Sequence, residues 1–141
     1  EIVRVKQIVM ERPIQYQDNI ASTHEAGRFG ATEIGDEAQE VVLVVILDTK
    51  NKINAIHRVF TGSLNTSVAH PREIFRSALL NNGARILVYH NHPSGNTEPS
   101  EADLIFTKRM EEAGSILGID LLDHIIVSGK EWLSLREYGL L

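Results

Sequence analysis

Apolar residues are scattered before Glu40 and become regular only after it. An early patch of Ile and Val residues ends near Pro13 and predicts a strand or an extended arm at the N-terminus; its members are Ile2, Val3, Val5, Ile8 and Val9. Mixed polar sequence follows this patch. We expect a helix in that stretch, somewhere between Asn19 and Ala38.

The strongest hydrophobic pattern is the continuous, mostly β-branched run Val41–Leu47. Its length and composition predict a strand whose two faces are both buried. The polar residues Asp48–Asn51 then predict a tight turn, because such residues favour turn conformations. The next run, Ile53–Thr61, is predicted to be the hairpin partner of this strand.

Helical and strand-like patterns alternate through the second half of the chain. Pro71 suits the first turn of a helix, which is expected to end at Asn81–Gly83 and whose apolar residues recur at helical spacing: Ile74, Phe75, Ala78 and Leu79. Ala84–Tyr89 is predicted as the next strand. Pro and Gly within His90–Asn96 then predict a loop.

A longer helix is predicted to open at Pro99 and Ser100. Its expected buried face carries Ala102, Ile105, Phe106, Met110, Ala113, Ile116 and Leu117. Leu121–Ser128 predicts a last core strand, and Leu135–Tyr138 a short helix. This order predicts an α/β (α+β) fold, with one layered domain over residues 1–141 and a mixed central β-sheet flanked by helices.

Composition narrows the function classes. The chain has 141 residues, of which 43% are hydrophobic and 23% charged, as in an ordinary globular domain. The absence of cysteine excludes a disulfide framework, a thiolate zinc site and a cysteine nucleophile. A net charge of -5 argues against a broad surface for nucleic acid. Because no secretion signal or membrane-spanning run is seen, we expect a cytoplasmic protein with no membrane association.

Two histidines and a carboxylate are spaced like the ligands of a metal ion. His90 and His92 are two residues apart at the predicted end of a strand, so both imidazoles can point to one side. Asp103 lies in the first turn of the helix that Ser100 would cap, and the intervening loop could bring it back to the histidines. Three nitrogen and oxygen ligands leave a fourth position for water, which is typical of catalytic zinc sites.

Each of these residues also has a simpler interpretation. A His-x-His pair alone is weak support for a metal site, because histidines often make ordinary hydrogen bonds. Ser100 and Asp103 are close to a capping box, and a helix start requires no metal. If Asp103 caps the helix, we expect it to be unable to bind a metal as well.

The complete spacing resembles the JAMM or MPN-type metalloprotease signature, in which an upstream Glu precedes His-x-His, Ser and Asp. Further segments resemble the blocks of the bacterial RadC family: Thr61-Gly62-Ser63-Leu64, Pro71-Arg72-Glu73-Ile74, His90-Asn91-His92-Pro93-Ser94-Gly95, Pro99-Ser100 and Leu122-Asp123-His124-Ile125-Ile126-Val127. This resemblance implies that His90, His92 and Asp103 bind Zn²⁺. It also implies that Glu40 is the general acid/base and that Ser100 stabilises the oxyanion.

The same resemblance implies a JAMM/MPN (cytidine-deaminase-like) architecture over residues 38–141, preceded by an N-terminal arm and helix in residues 1–37. Asn91 stands where the eukaryotic deubiquitinating relatives usually carry Ser or Thr, which indicates the bacterial branch. Glu33 and Glu37 lie near Glu40 in sequence. We favour Glu40 as the base because it directly precedes an apolar strand.

The function expected from these residues is a zinc-dependent metallohydrolase that cleaves a peptide or isopeptide bond in an unknown peptide or protein substrate. The alternative is a noncatalytic metal-binding module in a DNA-repair or protein assembly. Association with DNA is implied only by the RadC resemblance, since no segment matches the helix-hairpin-helix region of longer RadC proteins. His57, His70 and His124 are expected to be structural, although Asp123 and His124 could support the metal ligands.

Overall fold

Three helices and five strands alternate along the part of the chain that the structure describes. The computed structural model describes residues 1–2, 6–11, 19–62, 64 and 70–141. The elements are α1 (Thr23–Ile34), β1 (Val41–Leu47), β2 (Ile53–Thr61), α2 (Pro71–Leu80), β3 (Arg85–Asn91), α3 (Glu101–Leu117), β4 (Asp120–Ser128) and β5 (Glu131–Ser134).

The strands form one mixed sheet in the order β2-β1-β3-β4-β5. β1 pairs antiparallel with both β2 and β3, and β4 pairs antiparallel with β5. β3 and β4 are parallel and are joined through α3, as parallel neighbours require a crossover connection. Because β1 and β3 run in opposite directions, the start of β1 lies beside the end of β3.

Both faces of the sheet are covered by helices. Alternate residues of β1 pack with α2 and α3 on one face, including Val42, Val44 and Ile46. The intervening residues pack with α1 on the other face, including Val41, Leu43, Val45 and Leu47. This double burial explains why β1 is an unbroken apolar run.

Most elements confirm the sequence prediction. A helix, α1, lies within the expected stretch, and the predicted hairpin strands have the predicted bounds in β1 and β2. The helix that begins at Pro71 and the strand predicted at Leu121–Ser128 are also present, as α2 and β4. The mixed sheet with helices on both faces confirms the α/β fold and agrees with a JAMM/MPN-like domain.

The end of β3 differs from the prediction. The sequence predicted a strand over Ala84–Tyr89 and a loop from His90, but β3 continues through His90 and Asn91. His90 pairs with Val42 of β1 and with Ile126 of β4. The first histidine is therefore held by neighbouring strands on both sides, and the loop starts beyond it.

The face of α3 that was predicted to be buried is partly wrong. Ile105, Ile116 and Leu117 are 47%, 86% and 44% exposed. Phe106 and Met110 are buried as predicted, and the other buried residues are Asp103, Thr107 and Gly114. The buried face is therefore rotated from the apolar pattern toward two polar residues, Asp103 and Thr107, which the pattern had left outside it.

The C-terminal region also differs from the prediction. Residues 135–139 form turns rather than the short helix predicted at Leu135–Tyr138, and the preceding β5 was not predicted. Ser134 and the backbone of Arg136 bind the carboxylate of Asp123. These bonds connect the C-terminal turns to β4.

The N-terminal strand or arm falls partly outside the described residues, as does Pro13. Residues 1–2 and 6–11 have no regular secondary structure, and Ile2, Ile8 and Val9 are largely exposed. Gln7 exchanges hydrogen bonds with Asn81 at the end of α2. No helix in the described part of the chain is long and apolar enough to cross a membrane.

Candidate metal centre

Three distant parts of the chain meet at one end of the sheet. Glu40 directly precedes β1, His90 and His92 lie at and just beyond the end of β3, and Asp103 is in the first turn of α3. They border an open cleft of about 750 Å³. The other described residues that line it are Ala38, Gln39, Thr61, Gly62, Leu64, Pro93, Ser94, Ser100 and Ala102.

His90, His92 and Asp103 come together as the sequence predicted. The two imidazole rings are edge-to-face with centroids 5.1 Å apart, so both point to the same side of the chain. Asp103 Oδ1 lies 3.3 Å from His90 Nδ1, and Asp103 Oδ2 lies 3.0 Å from His92 Nε2. One ligand atom from each residue lies within 4.8 Å of the other two, so this group could hold a metal ion.

The buried polar atoms of this group fit a metal ion. Both ring nitrogens of His90 and Oε2 of Glu40 are buried without a hydrogen-bond partner. Such atoms normally cost free energy, so they indicate a ligand. The three ligand atoms lie within 4.8 Å of one another, so side-chain movements of about 1 Å would bring all three residues within coordination distance of one ion.

Asp103 caps α3 and faces both histidines with the same carboxylate. Its Oδ2 accepts a hydrogen bond from Ser100 N at 2.8 Å, while its own N–H donates to Ser100 Oγ at 3.1 Å. Its Oδ1 is directed at His90. The capping box is therefore confirmed, and it leaves the carboxylate beside both histidines; whether a capping Asp103 can also bind a metal stays a prediction.

Electrostatics keep Asp103 ionised. Burial by itself would raise the pKa of its carboxyl group. The close approach of the His90 ring and the hydrogen bonds from His92 and Ser100 N outweigh burial and hold the pKa of Asp103 well below its usual range. Asp103 is consequently a carboxylate at neutral pH, which is the form that binds a metal ion.

His92 is held in one orientation. Its Nδ1 lies 2.8 Å from the carbonyl oxygen of Asn96, and since a carbonyl only accepts, Nδ1 carries the hydrogen. Nε2 then faces Asp103, whose hydrogen bond raises the pKa of His92. The backbone of His92 is bonded to Val127 and Ser128 of β4. Such outer contacts fix the tautomer and direction of a metal-binding histidine.

Glu40 is the acidic residue that reaches the cleft from the segment before β1. Its Oε1 lies 3.8 Å from His90 Nε2, and its side chain is 29% exposed. Glu37 instead pairs with Arg58 at 2.8 Å, and Glu33 belongs to α1; neither lines the cleft. The geometry agrees with the choice of Glu40 over its two neighbours, while its role as a base stays a prediction.

Ser100 also lines the cleft. Its Oγ accepts a hydrogen bond from Asp103 N, and no other hydrogen bond of this side chain is found among the described residues. The hydroxyl hydrogen can therefore be donated to a group in the cleft. A hydroxyl donor at the cleft is compatible with stabilisation of an oxyanion, and this role of Ser100 stays a prediction.

Residues behind α3 contact the group formed by His90, His92 and Asp103, and the sequence predicted only some of these contacts. Thr107 Oγ1 donates to the carbonyl oxygen of Asp103 at 2.7 Å and lies 2.6 Å from Nδ1 of His124. Burial lowers the pKa of His124 to about 3, so its ring is neutral. Asp123 binds Ser134 instead. Of the Asp123-His124 pair, only His124 reaches the metal group, through Thr107.

His57 and His70, which were also expected to be structural, lie outside the cleft. His57 of β2 is hydrogen-bonded to Ser77 of α2, away from the cleft. His70 precedes Pro71 at the N-terminus of α2 and makes no side-chain capping bond. Neither lines the cleft.

The role of the Asn91 side chain was not predicted from the sequence. Asn91 lies between the two histidines, is 1% exposed, and makes three hydrogen bonds to backbone groups of residues 37–41. A buried Asn at the end of a strand signals such a role, but its partners are about fifty positions away. Nothing in the local sequence identifies them.

Comparison with known families decides where the chain belongs. A family model described as the RadC-like JAB domain matches residues 20–140. The chain belongs to the family of RadC-like JAB domains. The resemblance that the sequence motifs indicated is thereby confirmed.

Other RadC-like proteins are similar over most of this chain. The UPF0758 protein of Clostridium beijerinckii is 51% identical over 109 residues, which are 77% of this chain and 48% of the relative. That of Enterococcus faecalis is 49% identical over 118 residues, 84% of this chain and 51% of the relative. The UPF0758 protein of Latilactobacillus sakei is 44% identical over 122 residues, which are 86% of this chain and 54% of the relative. The chain spans about half the length of these curated relatives.

Proposed function

We propose that this RadC-like domain is a zinc-dependent hydrolase that cleaves amide bonds, either in peptides or as isopeptide links between proteins. The observation that carries the proposal is the buried His90, His92 and Asp103 group with its unpartnered nitrogens, open to a cleft beside Glu40 and Ser100. Family membership supports it without identifying a substrate.

The choice of metal follows from the ligand atoms. Two imidazoles and one carboxylate suit zinc and similar transition metals, whereas Mg²⁺ and Ca²⁺ prefer oxygen ligands. When bound by His90, His92 and Asp103, zinc would supply Lewis acidity and lower the pKa of a coordinated water toward about 7. Three protein ligands are the number found in catalytic rather than structural zinc sites.

In this proposal, the protein's own groups carry out the proton transfers of hydrolysis. The Glu40 carboxylate, beside His90, would take the proton of the attacking water and pass it to the departing amine nitrogen. The Ser100 hydroxyl would donate a hydrogen bond to the carbonyl oxygen as negative charge develops on it. These steps break the C–N bond and leave a carboxylate and an amine.

The first test is metal content. Protein purified without chelator should hold about one zinc per chain by elemental analysis, with His92→Ala reducing it at least tenfold at equal free zinc. His24→Ala serves as the matched control, because His24 is exposed and outside the cleft. Substoichiometric zinc in the parent, with as much in His92→Ala, would exclude the site.

The second test is turnover by the zinc-loaded protein in a cleavage screen on proteome-derived peptides. Glu40→Gln should retain zinc and fold but lower kcat by roughly 10² to 10⁴, the usual contribution of a general base. Glu37→Gln is the control, since Glu37 pairs with Arg58. Parental activity in Glu40→Gln would refute its role as base. A zinc-loaded parent that cleaves no peptide or isopeptide would favour the noncatalytic module instead.

A further inference from the structure

Asn91 joins the strand that carries the histidines to the segment that carries Glu40. It is the last residue of β3, and its side chain lies on the sheet face opposite His90 and His92, since neighbouring strand residues alternate. Its Oδ1 accepts from Val41 N at 2.6 Å, and its Nδ2 donates to the carbonyl oxygens of Gln39 at 3.0 Å and Glu37 at 3.3 Å.

These bonds enclose Glu40 on both sides. Gln39 O precedes Glu40 and Val41 N follows it, so one amide group fixes the backbone before and after the carboxylate-bearing residue. The carbonyl oxygen of Glu40 accepts from Gly62 N at 2.7 Å. The Glu40 backbone is thus tied to β3 through Asn91 and to the end of β2 through Gly62.

We propose that Asn91 is a positioning residue, which sets the distance between the Glu40 carboxylate and the His90, His92 and Asp103 group. This rests on the proposed function, in which Glu40 is the base. Because Asn91 lies between His90 and His92, the strand that places two ligands also places the base. A shift of about 1 Å between reacting groups can cost about 10²-fold in rate.

The chemistry of this contact requires an amide. The side chain must accept one hydrogen bond and donate two, and Asn offers both an acceptor oxygen and two N–H donors in one plane. An Asp carboxylate only accepts, so both carbonyls would lose their donor. A Ser hydroxyl has one donor and a shorter reach, so it could not serve all three backbone groups. The identity of residue 91 is therefore coupled to the position of Glu40.

The structural test compares Asn91→Asp with the parent by crystallography and metal analysis. We expect His90, His92 and Asp103 to superpose and metal content to be kept, while residues 37–41 move and the Glu40 carboxylate shifts by about 1 Å or more. Asn54→Asp, the same change at an exposed position of β2, is the control and should move neither residues 37–41 nor the Glu40 carboxylate. If Asn91→Asp does not fold, the smaller Asn91→Ser takes its place. Glu40 in its parental position in the folded variant would overturn the proposal.

The kinetic test asks whether Asn91 acts through Glu40. Asn91→Ser should lower kcat by about 10²-fold with KM within about twofold of the parent. In a Glu40→Gln background, the same substitution should change kcat by less than about twofold, because the carboxylate that Asn91 positions has been removed. Equal losses in both backgrounds would show a general structural effect and overturn the proposal. If the parent cleaves nothing, the proposed function fails, and the structural test still decides the positioning.

Discussion

Among individual residues, His124 is one whose acid–base chemistry is strongly changed by its place in the fold. It is fully buried, its ring packs edge-on against Phe106, and Nδ1 is hydrogen-bonded to Thr107. Its Nε2 is buried without a partner. Because Thr107 donates to Asp103 O, His124 must supply the hydrogen from Nδ1, which fixes its neutral tautomer.

We predict that His124 weakens the metal-free fold in acid. Its pKa is about 3 when folded and about 6.5 when unfolded. Between these values the unfolded chain binds the proton and the native protein does not, so the free energy of unfolding falls by up to about 1.4 kcal/mol for each pH unit of acidification. This loss begins near pH 6.5 and is absent above it.

Denaturant titrations from pH 7.5 to 4.5 with chelator present would measure this effect. His124→Asn retains a donor near the Nδ1 position but cannot titrate, so its stability should depend less steeply on pH below 6.5 than that of the parent. His24→Asn, at an exposed position, is the control and should follow the parent profile. Parallel profiles for the parent and His124→Asn would contradict the prediction.

The local sequence was sufficient to predict some site residues and not others. His90, His92 and Asp103 were predictable because strand alternation and a helix cap act over a few residues. The choice of Glu40 depended on family resemblance and on its position before a strand. Asn91 and Thr107 gave no comparable signal, because Val41 and His124 reach them only through the tertiary fold.

At the scale of elements, prediction succeeded where one interaction dominates. β1 was predictable because all seven of its residues are buried. β5 was not predicted because it is only four residues long and its buried and exposed positions do not alternate clearly. The buried face of α3 was predicted only in part, since its buried positions are shared between apolar packing and contacts around the His90, His92 and Asp103 group. An apolar pattern cannot reveal that Asp103 or Thr107 is buried.

α1 packs closely on the sheet through two glycines. A Cβ built on Gly27 would lie 2.3 Å from Trp132 of β5, and one built on Gly30 would lie 2.2 Å from the Tyr89 ring. Tyr89 is fully buried and donates a hydrogen bond to Ala26 O in α1 at 2.7 Å. α1 can therefore lie this close to the Tyr89 ring only because residue 30 has no side chain.

We predict that Gly30→Ala destabilises the protein despite the higher helix propensity of Ala. Propensity alone would stabilise the helix by up to about 1 kcal/mol. The added methyl group must displace either α1 or the buried Tyr89, and overpacking of this kind costs about 1 to 3 kcal/mol. The clash should dominate, with a net loss of about 1 kcal/mol or more in the free energy of unfolding.

Urea denaturation at neutral pH would measure the effect of Gly30→Ala. Ser115→Ala is the matched control, because Ser115 lies on an exposed position of α3 and should gain a few tenths of a kcal/mol from propensity alone. A gain in stability for Gly30→Ala would show that α1 moves away from Tyr89 at little cost.

At the scale of the whole molecule, the sheet topology builds the site. The antiparallel pairing of β1 and β3 brings Glu40 beside the histidines, and the crossover through α3 returns Asp103 to the same end. The resulting cleft carries the charges of Glu40 and Asp103, and no Lys or Arg is among its described lining residues. The chain as a whole has a net charge of -5.

This charge distribution predicts which amide bonds the proposed hydrolase would cleave. A bound divalent ion would only balance the two carboxylates, so an acidic group of the substrate would find no cationic partner in the described cleft. A terminal carboxylate is normally held by Arg or Lys, and we therefore expect cleavage of internal amide bonds. With the cleft balanced by the ion, the remaining repulsion comes from the chain's net charge of -5. One such charge about 10 Å away at an effective dielectric of about 20 costs about 1.7 kcal/mol, or roughly tenfold in kcat/KM.

Matched peptides that differ only by Gln or Glu beside the cleaved bond would test the prediction. We expect the Gln peptide to be cleaved about tenfold faster, with the ratio falling as salt screens the repulsion. Amidation of the peptide C-terminus should leave cleavage of an internal bond unchanged. Faster cleavage of the Glu peptide, or loss of cleavage on amidation, would contradict the prediction. Either result would show that a cationic group outside the described lining binds an acidic group of the substrate.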